Sequence, residues 1–166
     1  MFPVVIAIIG AIVQFGMIFW SLNTLTQVVR DTGRWAATQQ TTPCSDGASA
    51  LAVQANTIAG NSSLFGYTSG QFTLPSGNVF SADAPVNAFT TPNAMAVAWV
   101  HDSAESPSLC PPRSNVEVWH VTIKMNQVVS TFFPGMQFLP GLGTCDSTGC
   151  HMTLSSTAQF RMEPAP

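Results

Sequence analysis

Residues Phe2 to Trp20 form an apolar run that carries no charge, and past it the pattern becomes two-sided. Within the run Val4, Val5, Ile6, Ile8, Ile9, Ile12, Val13, Phe15, Ile18, Phe19 and Trp20 point in every direction at helical spacing, so every face calls for apolar surroundings. Gln14 is its one strongly polar residue. Beyond it Leu22, Leu25, Val28 or Val29, Thr32 and Trp35 repeat on one side, while Asn23, Gln27, Arg30, Asp31 and Arg34 hold the other, the stripe of a helix lying on a globular core. The spacing predicts one helix up to Thr38, stopped by Gln39-Gln40-Thr41-Thr42-Pro43, where proline opposes continuation. At about 1.5 Å per residue such a helix reaches about 55 Å, well beyond a hydrocarbon core of about 30 Å. Its first half therefore suits lipid or other helices, and its second half suits the chain's own remainder. Gly10 and Gly16 thin the first half and let neighbouring helices approach. Gly33 interrupts the second at a cost of about 1 kcal/mol against alanine.

The remainder divides the chain into residues 1–39, a membrane or packing helix, and residues 40–166, a head. Ser45 or Asp46 can cap a second helix in which Ala48, Leu51, Ala55 and Ile58 share a face, ending near Gly60. Residues 61–93, rich in Ser, Gly, Asn, Pro and Thr, read as long surface loops with a short strand hinted at 71–74. From Ala94 the period becomes two. Met95, Val97 and Trp99 alternate with residues that are also apolar, which predicts a strand buried on both faces and ending near His101. After a proline-rich connection at 102–114, Trp119, Val121, Ile123 and Met125 alternate with His120, Thr122 and Lys124, one face core and the other solvent. A last strand sets Met152, Leu154, Ala158, Phe160 and Met162 inward and Thr153, Ser155, Thr157, Gln159 and Arg161 outward. Phe132 to Pro140 is too broken for a regular element and reads as an apolar contact loop. The sum is an α+β fold in which a long N-terminal helix, half transmembrane and half amphipathic, packs on a small antiparallel sheet through Leu22, Leu25, Val28, Val29 and Trp35.

Charge sharpens this picture. Only 8% of the 166 residues are charged and the net charge is −3, so no basic surface is available for a phosphate backbone and nucleic acid is excluded as a partner. The four cysteines, Cys44, Cys110, Cys145 and Cys150, are an even set in a chain whose apolar start implies export, which predicts two disulfides. Cys145 and Cys150 bracket the turn-forming Asp146-Ser147-Thr148-Gly149, and Cys44 would then pair with Cys110. A cleaved secretory signal needs a basic start, yet residues 1–29 hold no Lys or Arg and the helix runs on, so the segment is expected to be retained. Arg30 and Arg34 cast a weak vote for the cytoplasm. Cysteine usage outweighs it and favours the outside.

Candidate chemistry is sparse. Cys145-x4-Cys150-His151 is a loosened haem-attachment pattern, which would make the chain an extracellular electron carrier, although a disulfide hairpin is the simpler reading. His101, His120 and His151 share no metal-ligand spacing on one element. No nucleophile elbow, HExxH or phosphate loop occurs, and Asp83, Asp102, Glu105 and Glu117 show no paired spacing. The expectation is a non-enzyme with no cofactor, no metal and no small-molecule substrate. Asn61-Ser62-Ser63 fits the N-glycosylation pattern.

Three stretches resemble TadE/TadG-like proteins, the pseudopilins of tight-adherence pili: the run through Gln14-Phe15-Gly16, the segment Asn23-Thr24-Leu25-Thr26, and Arg30-Asp31-Thr32-Gly33-Arg34-Trp35-Ala36-Ala37-Thr38. Val116 to Lys124 and Met152 to Glu163 are similar to that family's closing strands, whereas residues 44–112 resemble nothing we can place. The resemblance implies a pilin-like lollipop, held in the cytoplasmic membrane by its helix and then packed helix against helix into an extracellular pilus with copies of itself and other pilins. Pro3, Ile6, Ile9, Gly10, Val13, Gln14, Gly16, Phe19 and Trp20 would line that contact. Family precursors also carry a basic leader, a prepilin-peptidase site and an early Glu ahead of a proline matching Pro3, whereas the first acid here is Asp31. Either residues precede Met1 or the subunit assembles without that carboxylate, and the position of Met1 inside the apolar run favours the first. The competing expectation is a monomeric adhesin or binding module that uses the helix only as a membrane tether.

Overall fold

In the computed structural model the apolar run and the two-sided stretch are one unbroken helix, α1 (Phe2–Thr38). The structure describes residues 2–38, 47–75, 79–80, 83–101, 119–131, 143–146 and 149–162. The expected Cys44–Cys110 bridge, the Ser45 or Asp46 cap, the connection at 102–114 and the contact loop at 132–140 lie outside them. After α1 come α2 (Gly47–Asn61), β1 (Val79–Phe80), α3 (Asp83–Asn87), β2 (Ala94–His101), β3 (Trp119–Thr131), β4 (Thr144–Asp146) and β5 (Gly149–Arg161). The strands form one sheet in the order β1-β2-β3-β5-β4.

The amphipathic half of α1 roofs one face of this sheet. Leu25, Val28, Val29 and Ala36 are fully buried, together with Leu51 and Ala55 of α2 and Val97, Val121, Ile123 and Met125 of the sheet. Leu22 and Trp35 pack half-buried against the same core. Each such side chain removed from water contributes about 1.5–3 kcal/mol. The buried threonines of α1 are satisfied by the helix itself, since the Thr24 hydroxyl donates to the Trp20 carbonyl at 2.9 Å and the Thr32 hydroxyl to the Val28 carbonyl at 2.7 Å. Along β5 the side chains alternate as the sequence implies, with Leu154, Ser156 and Met162 buried and Thr153, Ser155, Thr157, Gln159 and Arg161 exposed.

Three expectations need correction. The sheet is larger than three antiparallel strands: β1 joins β2 in parallel, and β4 closes a hairpin onto β5. Residues 61–93 are not only loops, because Leu64, Phe72, Val86 and Phe89 are buried there and α3 forms within the stretch. Asn56 holds part of it down, its side-chain amide donating to the Phe72 carbonyl at 2.8 Å and accepting the Phe72 N–H at 3.0 Å. Finally, the second face of β3 is not open to solvent. Val86 and Phe89 build a small second core with Ala94, Ala96 and Ala98, and Thr122 and Asn126 are buried on that side of the sheet. Asn126 is fully satisfied there, donating to the carbonyls of Phe89 at 3.2 Å and Thr91 at 3.1 Å and accepting the Ser155 hydroxyl at 2.7 Å.

Candidate assembly surface on the first helix

With the head on one side, α1 presents an opposite side that nothing among the described residues covers. Val5, Ile9, Ile12, Gly16, Phe19, Asn23, Gln27, Arg30 and Arg34 recur at spacings of three and four, so they share one stripe along the helix. Val5, Ile9, Ile12 and Phe19 are between 54% and 66% exposed, a degree that large apolar side chains on a water-facing helix would make costly. Val4, Ile6, Val13, Phe15 and Trp20 flank the stripe and are also exposed. Pro3 lies in the first turn.

The two glycines of the apolar half are not equivalent. Gly16 lies in the outward stripe, and a Cβ placed on it would meet nothing within 4 Å. Six residues separate it from Gly10, which at about 100° per residue puts Gly10 about 120° away around the helix. Gly10 instead lies about 40° from Gln14, on the side of the head. Room for close approach along the outward stripe is therefore offered at Gly16 and not at Gly10.

The head also reaches lower along α1 than the apolar pattern implies. Gln14 is only 4% exposed, Ile18 is 9% and Ser21 is fully buried, so one face of the apolar run belongs to the chain's own core. Strand direction explains this. The Ser156 hydroxyl donates to that of Thr26 at 3.3 Å, and Phe160 lies against Gly33, so β5 runs alongside α1 in the same direction. Six residues before Ser156, at about 3.3 Å each, carry the strand back about 20 Å, which corresponds to about 13 helical residues and puts Cys150 level with Val13. The lower seam is polar but unsatisfied: neither side-chain atom of Gln14 nor the Ser21 hydroxyl has a hydrogen-bond partner.

The other candidate sites resolve simply. Cys145 and Cys150 are bonded to each other at 2.05 Å across the β4–β5 hairpin, so both sulfurs are spent and neither is free to hold a haem vinyl group. Gly149, with φ 133°, supplies the backbone conformation that returns the chain into β5. No group of three or more His, Cys, Asp or Glu able to hold a metal occurs among the described residues. Asn61 is exposed at the end of α2, as an acceptor for a sugar must be.

Over Val4–Thr38 the helix is long and apolar enough to cross a membrane, with a mean hydropathy of 2.2 in its most apolar window. Compared with known families, residues 1–34 match the model of TadE-like proteins. The first helix is thus similar to that family over those residues. The match takes in the apolar run, the outward stripe and the Arg30-Asp31-Thr32-Gly33-Arg34 continuation, and it stops short of the head. No curated protein and no solved structure matches the chain.

Proposed function

We propose that this protein is a structural subunit of a Tad-type pilus, assembling through the outward stripe of α1 with copies of itself and with other pilins. One observation carries the reading: a TadE-like helix keeps ten large apolar side chains, from Val4 to Trp20, exposed on the faces its own head leaves uncovered. In the cytoplasmic membrane lipid would cover them, and in an extracellular filament neighbouring helices would. Lipid and leucine are equally apolar, so burial alone does not pull such helices together, and close packing at Gly16 supplies the attraction. The head, roofed by the other face of α1, would form the outer surface, with no chemistry required of it.

The test is electron microscopy of sheared surface material from cells producing the full chain, with mass spectrometry to identify the subunit. Filaments containing the chain are expected, and Gly16→Leu should abolish them while the protein still accumulates in the membrane with its Cys145–Cys150 bond formed. A membrane-held protein that never enters filaments would instead support the tethered-monomer reading.

A further inference from the structure

Resting on the pilin reading, a second feature of the same face specifies how neighbouring copies meet. Charge is scarce in this chain, at five basic and eight acidic residues in 166, yet Arg30, Asp31 and Arg34 fall within five positions of α1. All three are exposed. Among the described residues none of their side chains makes an ion pair or hydrogen bond, although acid and base stand on adjacent positions. Their placement around the helix is asymmetric. Consecutive residues are about 100° apart, so Arg30 and Arg34 stand within the outward stripe, about 40° from each other, and Asp31 lies on one flank, about 60° beyond Arg34.

We propose that a second copy of this chain docks on that face, with Asp31 on the flank of one helix paired to Arg30 in the stripe of the next and Arg34 closing the contact beside it. Bases within the stripe and an acid on one flank make the face complementary to itself in a head-to-tail sense. Contacts of that kind leave one free flank at each end, and where the rotation does not close a ring they propagate as an open helical array. The apolar part of the stripe cannot fix the register by itself, because apolar contact is non-directional and one greasy helix slides along another at little cost. Arg30 and Asp31 differ by about 1.5 Å along the axis, so their pairing holds neighbouring helices level to within the reach of an arginine side chain. An anionic lipid surface fits the same residues less well. Arg30 lies about 15 Å beyond Trp20 along the helix, and Asp31 would oppose the headgroups that the two arginines attract.

Charge reversal in the full chain tests this. Asp31→Arg and Arg30→Asp, each placing like charges together between copies, should each abolish filaments, and the double variant with both substitutions should restore them. Membrane accumulation and the Cys145–Cys150 bond are the folding controls. As a measurement independent of filament yield, Arg30→Cys and Asp31→Cys copies produced together should give a disulfide-linked dimer on mild oxidation. Normal filaments from Asp31→Arg, a double variant that folds but stays bare, or cysteine copies that do not cross-link would overturn the pairing while leaving the pilin reading in place. A wild-type chain that forms no filament takes both down.

Discussion

Phe160 of β5 lies so close over Gly33 of α1 that a Cβ on residue 33 would run into its ring. The glycine that costs the helix about 1 kcal/mol in propensity is thus the place where strand and helix come nearest. Gly33→Ala should lower stability by about 1–3 kcal/mol in spite of the better helix former, because the ring must leave its position. Thermal unfolding in detergent measures this. Adding Phe160→Leu should recover part of the loss, and a Gly33→Ala protein as stable as wild type would show that the contact is slack.

Gln14 predicts the opposite sign. A buried amide without partners carries a desolvation penalty of about 1–3 kcal/mol, so Gln14→Leu, close in volume, should stabilise the protein in urea or thermal unfolding. Ser21→Ala should act the same way more weakly. If Gln14→Leu destabilises instead, the amide has found partners, and the lower seam is better satisfied than its geometry indicates.

Asn126 ties the segment after α3 to the sheet through two hydrogen bonds and accepts a third from Ser155 of β5. Asn126→Ala leaves two carbonyls and a hydroxyl without this partner in a buried place and should cost about 2 kcal/mol or more. Hydrogen exchange should localise the loosening to residues 83–93 and leave α1 and β5 protected. A loss spread evenly over the whole sheet would assign Asn126 a general packing role instead.

Removing α1 altogether tests whether the helix is a roof or a leash. A chain starting at Gly47 would bare the sheet face that Leu25, Val28 and Val29 cover, and it should be poorly folded and prone to aggregate by circular dichroism and light scattering. A soluble, cooperatively folding head would contradict the roof.

Elements long enough to show a period were legible in the chain. The change from all-round to one-sided apolar spacing at Leu22 located the roof of the head, and the alternation from Met152 to Met162 located β5 with the correct face inward. Shorter elements carry no period to read. β1 spans two residues, β4 three and α3 five, and tertiary contacts hold them: β1 by pairing with β2, β4 by its disulfide, α3 by the Lys124 ammonium donating to the Asn87 carbonyl at 2.7 Å. The outward face of α1 was half visible. Exposed isoleucines and valines marked the apolar run, but Gly10 and Gly16 look alike in sequence, and only the position of the head assigns one to each side. Gln14 read as a lone polar residue in lipid, because nothing local reveals that a strand starting more than a hundred residues later runs down beside it.

The shared direction of α1 and β5 has a mechanical meaning. Traction on the leading end of the helix would pull along the line of the strand and load the contacts at Thr26–Ser156 and Gly33–Phe160 together in shear, whereas a perpendicular arrangement would unzip them one by one. The globular part is thereby fastened like a splint laid along a taut rope, with the force spread over its length.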